Sequence, residues 1–204
     1  MIEGAPGIGK STLIWELCRN WDKFTCMAQY SLVIMLRLRE KEVQKITKIC
    51  QLFCSYEGEN EALASEISEN HGHGVLFVLD GFDELPKHLQ QEGFLLKLIK
   101  GTVLPNSTVL LTSRPSATGE LLTTCRPLVH KHVEILGFTQ ESIEAYASSI
   151  FASEPDMLEK FKTYISASTN PAVNSLMYVP LNAAIIVEIY CSSKSDCYCK
   201  FTWV

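Results

Sequence analysis

The chain has 204 residues, of which 47% are hydrophobic and 20% are charged, and its formal net charge is −5. These proportions are typical of a globular protein with one good core, and they exclude a disordered or fibrous chain. Acidic and basic residues are interspersed without a basic face, which argues against DNA or RNA as the main partner.

The pattern of cysteines and the lack of a recognisable secretory signal favour a cytoplasmic protein. Eight cysteines are scattered with no C-x-x-C pair and no His spacing of a zinc site, so we expect reduced thiols and no metal cage. A glycine-rich turn occupies residues 4–9, where a secretory signal would carry its apolar region. The late apolar run 181–191 contains Glu188 and is too short to span a bilayer.

In chain order, apolar periodicity predicts short strands separated by helices. The predicted helices cover residues 11–22, 43–53, 61–70 and 94–100, and the predicted strands cover 31–39, 74–79, 107–112 and 132–136. This alternation implies crossover connections and a parallel sheet in an α/β fold. After Gly137 only helices are predicted: Thr139 can cap a helix running through Phe151, and Pro180 suits the first turn of another.

The loop from Gly4 to Ser11 reads G-A-P-G-I-G-K-S and fits the phosphate-binding pattern G-x-x-x-x-G-K-[ST]. Glycine permits positive φ and a close approach to an anion, so successive backbone N–H groups can surround phosphate oxygens. The following helix adds the positive end of its dipole. We expect Lys10 to reach the β and γ phosphates of a nucleotide, and the Ser11 hydroxyl to ligate Mg²⁺. A flexible turn is the alternative.

Three acids follow the strand predicted at 74–79, namely Asp80, Asp83 and Glu84. Asp80 is placed to hold Mg²⁺, and Asp83 or Glu84 can act as the base or orient water in hydrolysis. Arg114 follows the next predicted strand, where a guanidinium can bind the terminal phosphate and distinguish ATP from ADP. An acidic turn and a solvated arginine are the structural alternatives.

With these residues in place, the sequence resembles a NACHT domain, the nucleotide-binding module of NOD-like receptors in the STAND class of P-loop ATPases. The resemblance rests on residues 4–12 as Walker A, on L-D-G-F-D-E-L at 79–85 as an extended Walker B, and on T-S-R-P at 112–115 as sensor 1. The sequence L-G-F-T at 136–139 also resembles the family's transition into its helical domain.

The resemblance implies an α/β P-loop NTPase fold, a three-layer parallel sheet followed by a small helical domain. The nucleotide-binding core would cover residues 1–137, with its first strand truncated, and the helical domain would cover 138–191. The tail at 192–204 has no assignable pattern. The family's winged helix, sensor repeats and effector domain are not found in the sequence, so we expect a fragment.

The resemblance also implies a role for each site residue. The residues implied to bind ATP or ADP are Gly4, Ala5, Pro6, Gly7, Ile8, Gly9, Lys10, Ser11 and Thr12, together with Pro180 against the base. Ser11 and Asp80 would hold Mg²⁺. Asp83 and Glu84 would support hydrolysis, and Arg114 would sense the γ phosphate.

Family members exchange ADP for ATP to pass from a monomer to an oligomeric signalling platform, usually in innate immunity. The resemblance therefore implies a nucleotide switch with slow hydrolysis, which forms a homo-oligomer in the full-length protein. Two alternatives stay open at this point. One is a small-molecule kinase or remodelling ATPase, which the scarcity of arginines after Gly137 disfavours. The other is a truncated scaffold that does not bind nucleotide.

Overall fold

The computed structural model describes residues 1–53, 59–125, 129–166 and 171–193. The chain forms two compact units, of which the first comprises Met1–Ala5 and Lys10–Ile135, and the second comprises Pro6–Gly9 and Leu136–Val204. Of the unassigned tail, residues 194–204 lie outside the described part. The domain boundary expected at 137 stays a prediction.

The first unit carries the sheet. Its strands are β1 (Ile2–Gly4), β2 (Leu32–Arg37), β3 (Val75–Asp80), β4 (Thr108–Ser113) and β5 (Val133–Ile135). Its α-helices are α1 (Lys10–Arg19), α2 (Lys41–Gln44), α3 (Glu59–Glu69), α4 (Lys87–Gln91), α5 (Phe94–Ile99) and α6 (Pro115–Cys125). Short 3₁₀ turns lie at Trp21–Lys23, Thr25–Met27, Ile49–Phe53 and Phe82–Glu84.

The strands form one parallel sheet in the order β2-β3-β4-β1-β5. The predicted α/β fold class is confirmed. Short β1 pairs with β4 on one side and with β5 on the other, so Gly4 ends a central strand. Because the strands are parallel, the carboxyl ends of β1, β3 and β4 lie on one edge of the sheet, where ligands bind in open α/β folds.

Burial of both sheet faces explains the apolar runs. In β3, Phe77 and Leu79 belong to the core cluster that also contains Leu98 of α5, whereas Val78 belongs to the cluster that contains Ile14 of α1. Helices therefore cover both faces of the sheet. A parallel strand buried in this way reads as a continuous apolar segment, which is why the strand predicted at 74–79 agrees with β3.

The helix predicted over 43–53 is wrong. The chain instead forms α2 and, after a break, the 3₁₀ turn Ile49–Phe53. The Gln51 side chain supplies the physical reason, because its Oε1 accepts the backbone N–H groups of Thr47 at 2.7 Å and of Lys48 at 3.1 Å. These donors would bond to backbone carbonyls in a continuous helix.

The second unit is helical, with α7 (Gln140–Ile150), α8 (Pro155–Ser166), α9 (Pro171–Leu176) and α10 (Pro180–Ser192). The Thr139 hydroxyl accepts the Ser142 N–H at 3.2 Å, which confirms the predicted cap of α7. The core contains an aromatic cluster in which the Phe161 ring lies 5.3 Å from Phe151 and 5.1 Å from Tyr190. Within the described ranges, no helix combines the length and apolar character needed to cross a membrane.

Candidate nucleotide site

The loop after β1 is closed by Lys10, the first residue of α1. Its ammonium Nζ donates to the carbonyl oxygens of Gly4 at 2.7 Å and of Ala5 at 3.0 Å. Ser11 and Thr12 follow in the first turn of α1, and both are exposed. The lysine therefore lies over the end of β1, with two hydroxyl residues accessible beside it in sequence.

The middle of the loop, Pro6–Gly9, groups with the second unit. Gly7 and Gly9 have φ values of +72° and +99°, which favour glycine. The Gly7 carbonyl accepts the N–H of Leu181 at 3.2 Å, and a Cβ at Gly7 would lie 2.9 Å from the Leu181 Cβ. Pro180, expected at the nucleotide base, is half-buried at the first position of α10 and directly precedes this contact.

Asp80, at the end of β3, is fixed by a residue for which the sequence indicated no separate role. The Thr112 hydroxyl Oγ1 donates to Asp80 Oδ1 at 2.7 Å and accepts the Gly81 N–H at 2.8 Å. Thr112 lies in the predicted T-S-R-P motif, but the motif singles out its arginine. The hydrogen bonds of Thr112 depend on the pairing of β3 with β4.

Arg114 forms ion pairs with the two acids of the turn Phe82–Glu84. Its Nε lies 2.9 Å from Asp83 Oδ2, and its backbone N–H donates to Asp83 Oδ1 at 3.1 Å. A second guanidinium nitrogen lies 3.9 Å from Glu84 Oε1. Both oxygens of Asp83 are thus engaged by Arg114, and the Asp83 side chain is only 11% exposed, against 35% for Glu84.

These charged groups act on one another. Burial lowers the pKa of the Lys10 ammonium, and Arg114 lowers it further, whereas Asp83, Asp80 and Glu84 raise it. The structure therefore brings together residues from the ends of three parallel strands. Their expected roles in binding and hydrolysis stay predictions.

Gln90 is a further residue that sequence reasoning missed. It is 8% exposed, and its Nε2 donates to the carbonyls of Leu85 at 2.6 Å and Phe82 at 3.3 Å. Its Oε1 is buried without a hydrogen-bond partner among the described residues. Gln90 thus ties α4 to the turn that carries Asp83 and Glu84. A glutamine within a five-residue helix carries no sequence signal of this role.

Gln90→Leu is expected to lower the free energy of unfolding by about 1–3 kcal/mol, because the buried Leu85 carbonyl loses its side-chain donor and the Phe82 carbonyl keeps only the Leu85 N–H. Amide hydrogen exchange at Glu84 and Leu85 is expected to speed up. Gln91→Leu is the matched control, because Gln91 is exposed on the same helix. Equal stability and equal exchange in the two variants would show that Gln90 does not hold the turn.

The donor set fits a nucleotide phosphate chain and Mg²⁺. Beyond Gly9 and its two chain neighbours, no described atom lies within 4 Å of the position that a Cβ would take at Gly9. Lys10 would supply a cationic donor, and Ser11 and Asp80 would supply hard oxygen ligands of the kind that Mg²⁺ takes. In the described part of the chain, no group of three or more His, Cys, Asp or Glu residues forms a metal cage. Mg²⁺ that is bound with a nucleotide usually takes one or two carboxylates together with phosphate oxygens and water.

The chain is similar to known proteins over most of its length. The chain is 31% identical to mouse "NACHT, LRR and PYD domains-containing protein 10" over 195 residues, covering 94% of this chain and 27% of the relative. It is 26% identical to cattle "Nucleotide-binding oligomerization domain-containing protein 2", covering 89% of this chain and 19% of the relative. The chain thus spans about a quarter or less of the length of these relatives.

A solved structure supports the fold alone. The crystal structure of Cdc6p from Pyrobaculum aerophilum superposes with a TM-score of 0.55 at 14% identity, covering 94% of this chain and 54% of that chain. The family assignment comes from sequence, because residues 1–154 match the family described as "NACHT domain". The chain therefore belongs to the NACHT domain family.

Proposed function

We propose that the chain is an ATP- and ADP-binding switch with slow Mg²⁺-dependent ATP hydrolysis, acting as the nucleotide-binding module of a NOD-like-receptor-type signalling protein. The observation that carries this proposal is the grouping of Lys10 with Asp80, Asp83, Glu84 and Arg114 at the carboxyl ends of β1, β3 and β4. The pattern of residues 4–12 and the family assignment support it independently.

Each site residue has a separate role in this proposal. Lys10 and the loop backbone bind phosphate, and Ser11 and Asp80 hold the cation. When bound, Mg-ATP supplies the phosphoryl group whose loss distinguishes the two switch states. Glu84 orients or deprotonates water, because its carboxylate is more exposed than that of Asp83. Asp83 instead orients Arg114 through both of its oxygens.

The names of the relatives support a proposed biological setting. One is named for nucleotide binding and oligomerization, so we propose that the full-length protein forms a homo-oligomer. Innate immune signalling in the cytoplasm is part of the same proposal, with effector and sensor domains belonging to the full-length protein. Pro180 is proposed to pack against the nucleotide base.

Binding and turnover of ATP and ADP by the purified chain test the proposal. Tight binding with very slow phosphate release is the expected result. Fast turnover that requires an added acceptor would instead indicate a kinase. If neither nucleotide binds to the folded chain with or without Mg²⁺, the protein is a scaffold and the proposal is wrong.

Glu84→Gln is expected to lower the single-turnover rate of ATP hydrolysis roughly 100-fold or more, the usual contribution of a general base. The affinity for ATP should be preserved, because Glu84 is not assigned a phosphate contact. Glu92→Gln makes the same chemical change at an exposed position and should leave the rate unchanged. A Glu84→Gln variant that hydrolyses ATP as fast as the wild type would remove Glu84 from the mechanism.

A further inference from the structure

Thr112 and Asp80 are neighbours on adjacent parallel strands. The paired register of β3 and β4 runs from Leu76 opposite Thr108 to Leu79 opposite Leu111. Asp80 and Thr112 are the next residue on each strand, at the edge of the sheet that carries the candidate site. Thr112 is completely buried, with 0% exposure, so its hydroxyl is shielded from solvent.

The direction of the two hydrogen bonds of Thr112 is fixed by its partners. The Gly81 N–H can only donate, so Thr112 Oγ1 accepts from it, at 2.8 Å. An ionised carboxylate can only accept, so the single hydroxyl proton of Thr112 goes to Asp80 Oδ1, at 2.7 Å. Gly81, which supplies the N–H, has φ +83°, a conformation that favours glycine.

This arrangement makes the two oxygens of Asp80 unequal. Oδ1 is engaged by the hydroxyl proton, whereas no hydrogen bond or ion pair from the described residues reaches Oδ2. Asp83 does not substitute for Asp80, because Arg114 engages both of its oxygens. Asp80 is therefore prepared to offer one oxygen to a cation or to a cation-bound water.

We propose that Thr112 is a positioning residue that restricts Asp80 to one-oxygen contact with a divalent cation, and that this restriction favours Mg²⁺ over Ca²⁺. Ca²⁺ takes six to eight oxygens and often binds both oxygens of a carboxylate. Mg²⁺ demands octahedral geometry, keeps several waters and uses one or two carboxylates. The hydrogen bond that the Thr112 hydroxyl donates to Oδ1 opposes the two-oxygen mode and leaves the one-oxygen mode open. The inference rests on the proposed nucleotide-binding function.

The test measures ATP affinity of the 204-residue chain by calorimetry in Mg²⁺, in Ca²⁺ and in EDTA. The wild type is expected to bind ATP more tightly with Mg²⁺ than with Ca²⁺. Thr112→Val removes the hydroxyl at nearly constant volume, and it should lower the Mg²⁺-dependent gain in affinity roughly tenfold or more, as loss of a residue supporting a metal ligand does. The ratio of affinities in Mg²⁺ and Ca²⁺ should shrink, while the affinity in EDTA stays unchanged.

Thr112→Ser keeps the hydroxyl and should restore the wild-type ratio. A smaller ratio in the folded serine variant, or equal wild-type affinities in Mg²⁺ and Ca²⁺, would overturn the inference even if the valine variant does not fold. A folded Thr112→Val variant with an unchanged ratio would do the same and leave the proposed function standing. Absence of ATP binding by the wild type under all three conditions would overturn the proposed function and this inference together.

Discussion

Lys10→Ala is expected to weaken ATP binding at least tenfold. A charge-assisted hydrogen bond to phosphate contributes about 1.5–3 kcal/mol, and about 1.4 kcal/mol corresponds to a factor of ten in affinity. Burial lowers the pKa of Lys10, so the free protein already holds this ammonium in an unfavourable setting. The variant should therefore fold, and calorimetric titration with Mg-ATP measures the loss directly.

The control for this prediction is Lys41→Ala, which removes an exposed lysine at the start of α2. The melting temperature of the ligand-free variants should resemble that of the wild type. The increase in melting temperature on adding Mg-ATP should persist in the control and largely disappear in Lys10→Ala. An undiminished increase in Lys10→Ala would show that the ammonium does not contact the phosphates.

Gly137→Ala is expected to lower the free energy of unfolding of the second unit by about 2–5 kcal/mol. Gly137 has φ +100°, which is strained for alanine. A Cβ there would collide with the carbonyl oxygen of Tyr178 and lie 2.8 Å from Ile8 Cδ1. That carbonyl also accepts the Phe138 N–H at 2.9 Å, so movement of the carbonyl would disturb a hydrogen bond. Chemical denaturation followed by circular dichroism measures the effect.

Substitutions at two other glycines distinguish the effect of backbone strain on stability from the effect of the collision. Gly101 has φ +63°, but beyond Gly101 and its two chain neighbours no described atom lies within 4 Å of its Cβ position, so Gly101→Ala should show the strain of about 1–2 kcal/mol alone. Gly119 lies in α6 without positive φ, and Gly119→Ala should be neutral or stabilising. If Gly137→Ala lowers the free energy of unfolding no more than Gly101→Ala does, the collision is relieved without a loss of stability.

The predicted elements agree with the structure where one local pattern decides the outcome. The apolar run before Asp80 indicates a buried strand, and Gly101 lies with positive φ directly after the last residues of α5, as a helix-ending glycine does. The helix predicted over 43–53 failed because the side chain of Gln51 competes for backbone donors. Such competition cannot be read from apolar spacing.

Four of the described helices, namely α4, α6, α8 and α9, were not predicted, and the sequences of the two longest carry a signal. Both α6 and α8 begin with proline, at Pro115 and Pro155, and proline is favoured in the first turn of a helix. In α8, Phe161 and Ile165 lie four residues apart and are both buried, which is the spacing of one helical face. Pro115 is the last residue of a motif that was interpreted as the end of a strand.

The candidate site likewise contains some residues that the sequence reveals and others that it does not. Lys10, Asp80 and Arg114 are recognisable because each belongs to a short contiguous pattern. Thr112 and Gln90 are not, because their contacts join residues 32 and 5 to 8 positions apart and depend on strand pairing and on the fold of a turn. The residues that support this site therefore have no local sequence pattern. The variants described above test their roles.

The most direct test of the account is a crystal structure of the chain with Mg²⁺ and a non-hydrolysable ATP analogue. We expect the backbone of the loop 4–11 and Lys10 Nζ to bind the phosphate oxygens. We expect the cation to contact Ser11 and, directly or through water, Asp80. An analogue bound elsewhere, or a cation that contacts neither residue while the loop is intact, would contradict it.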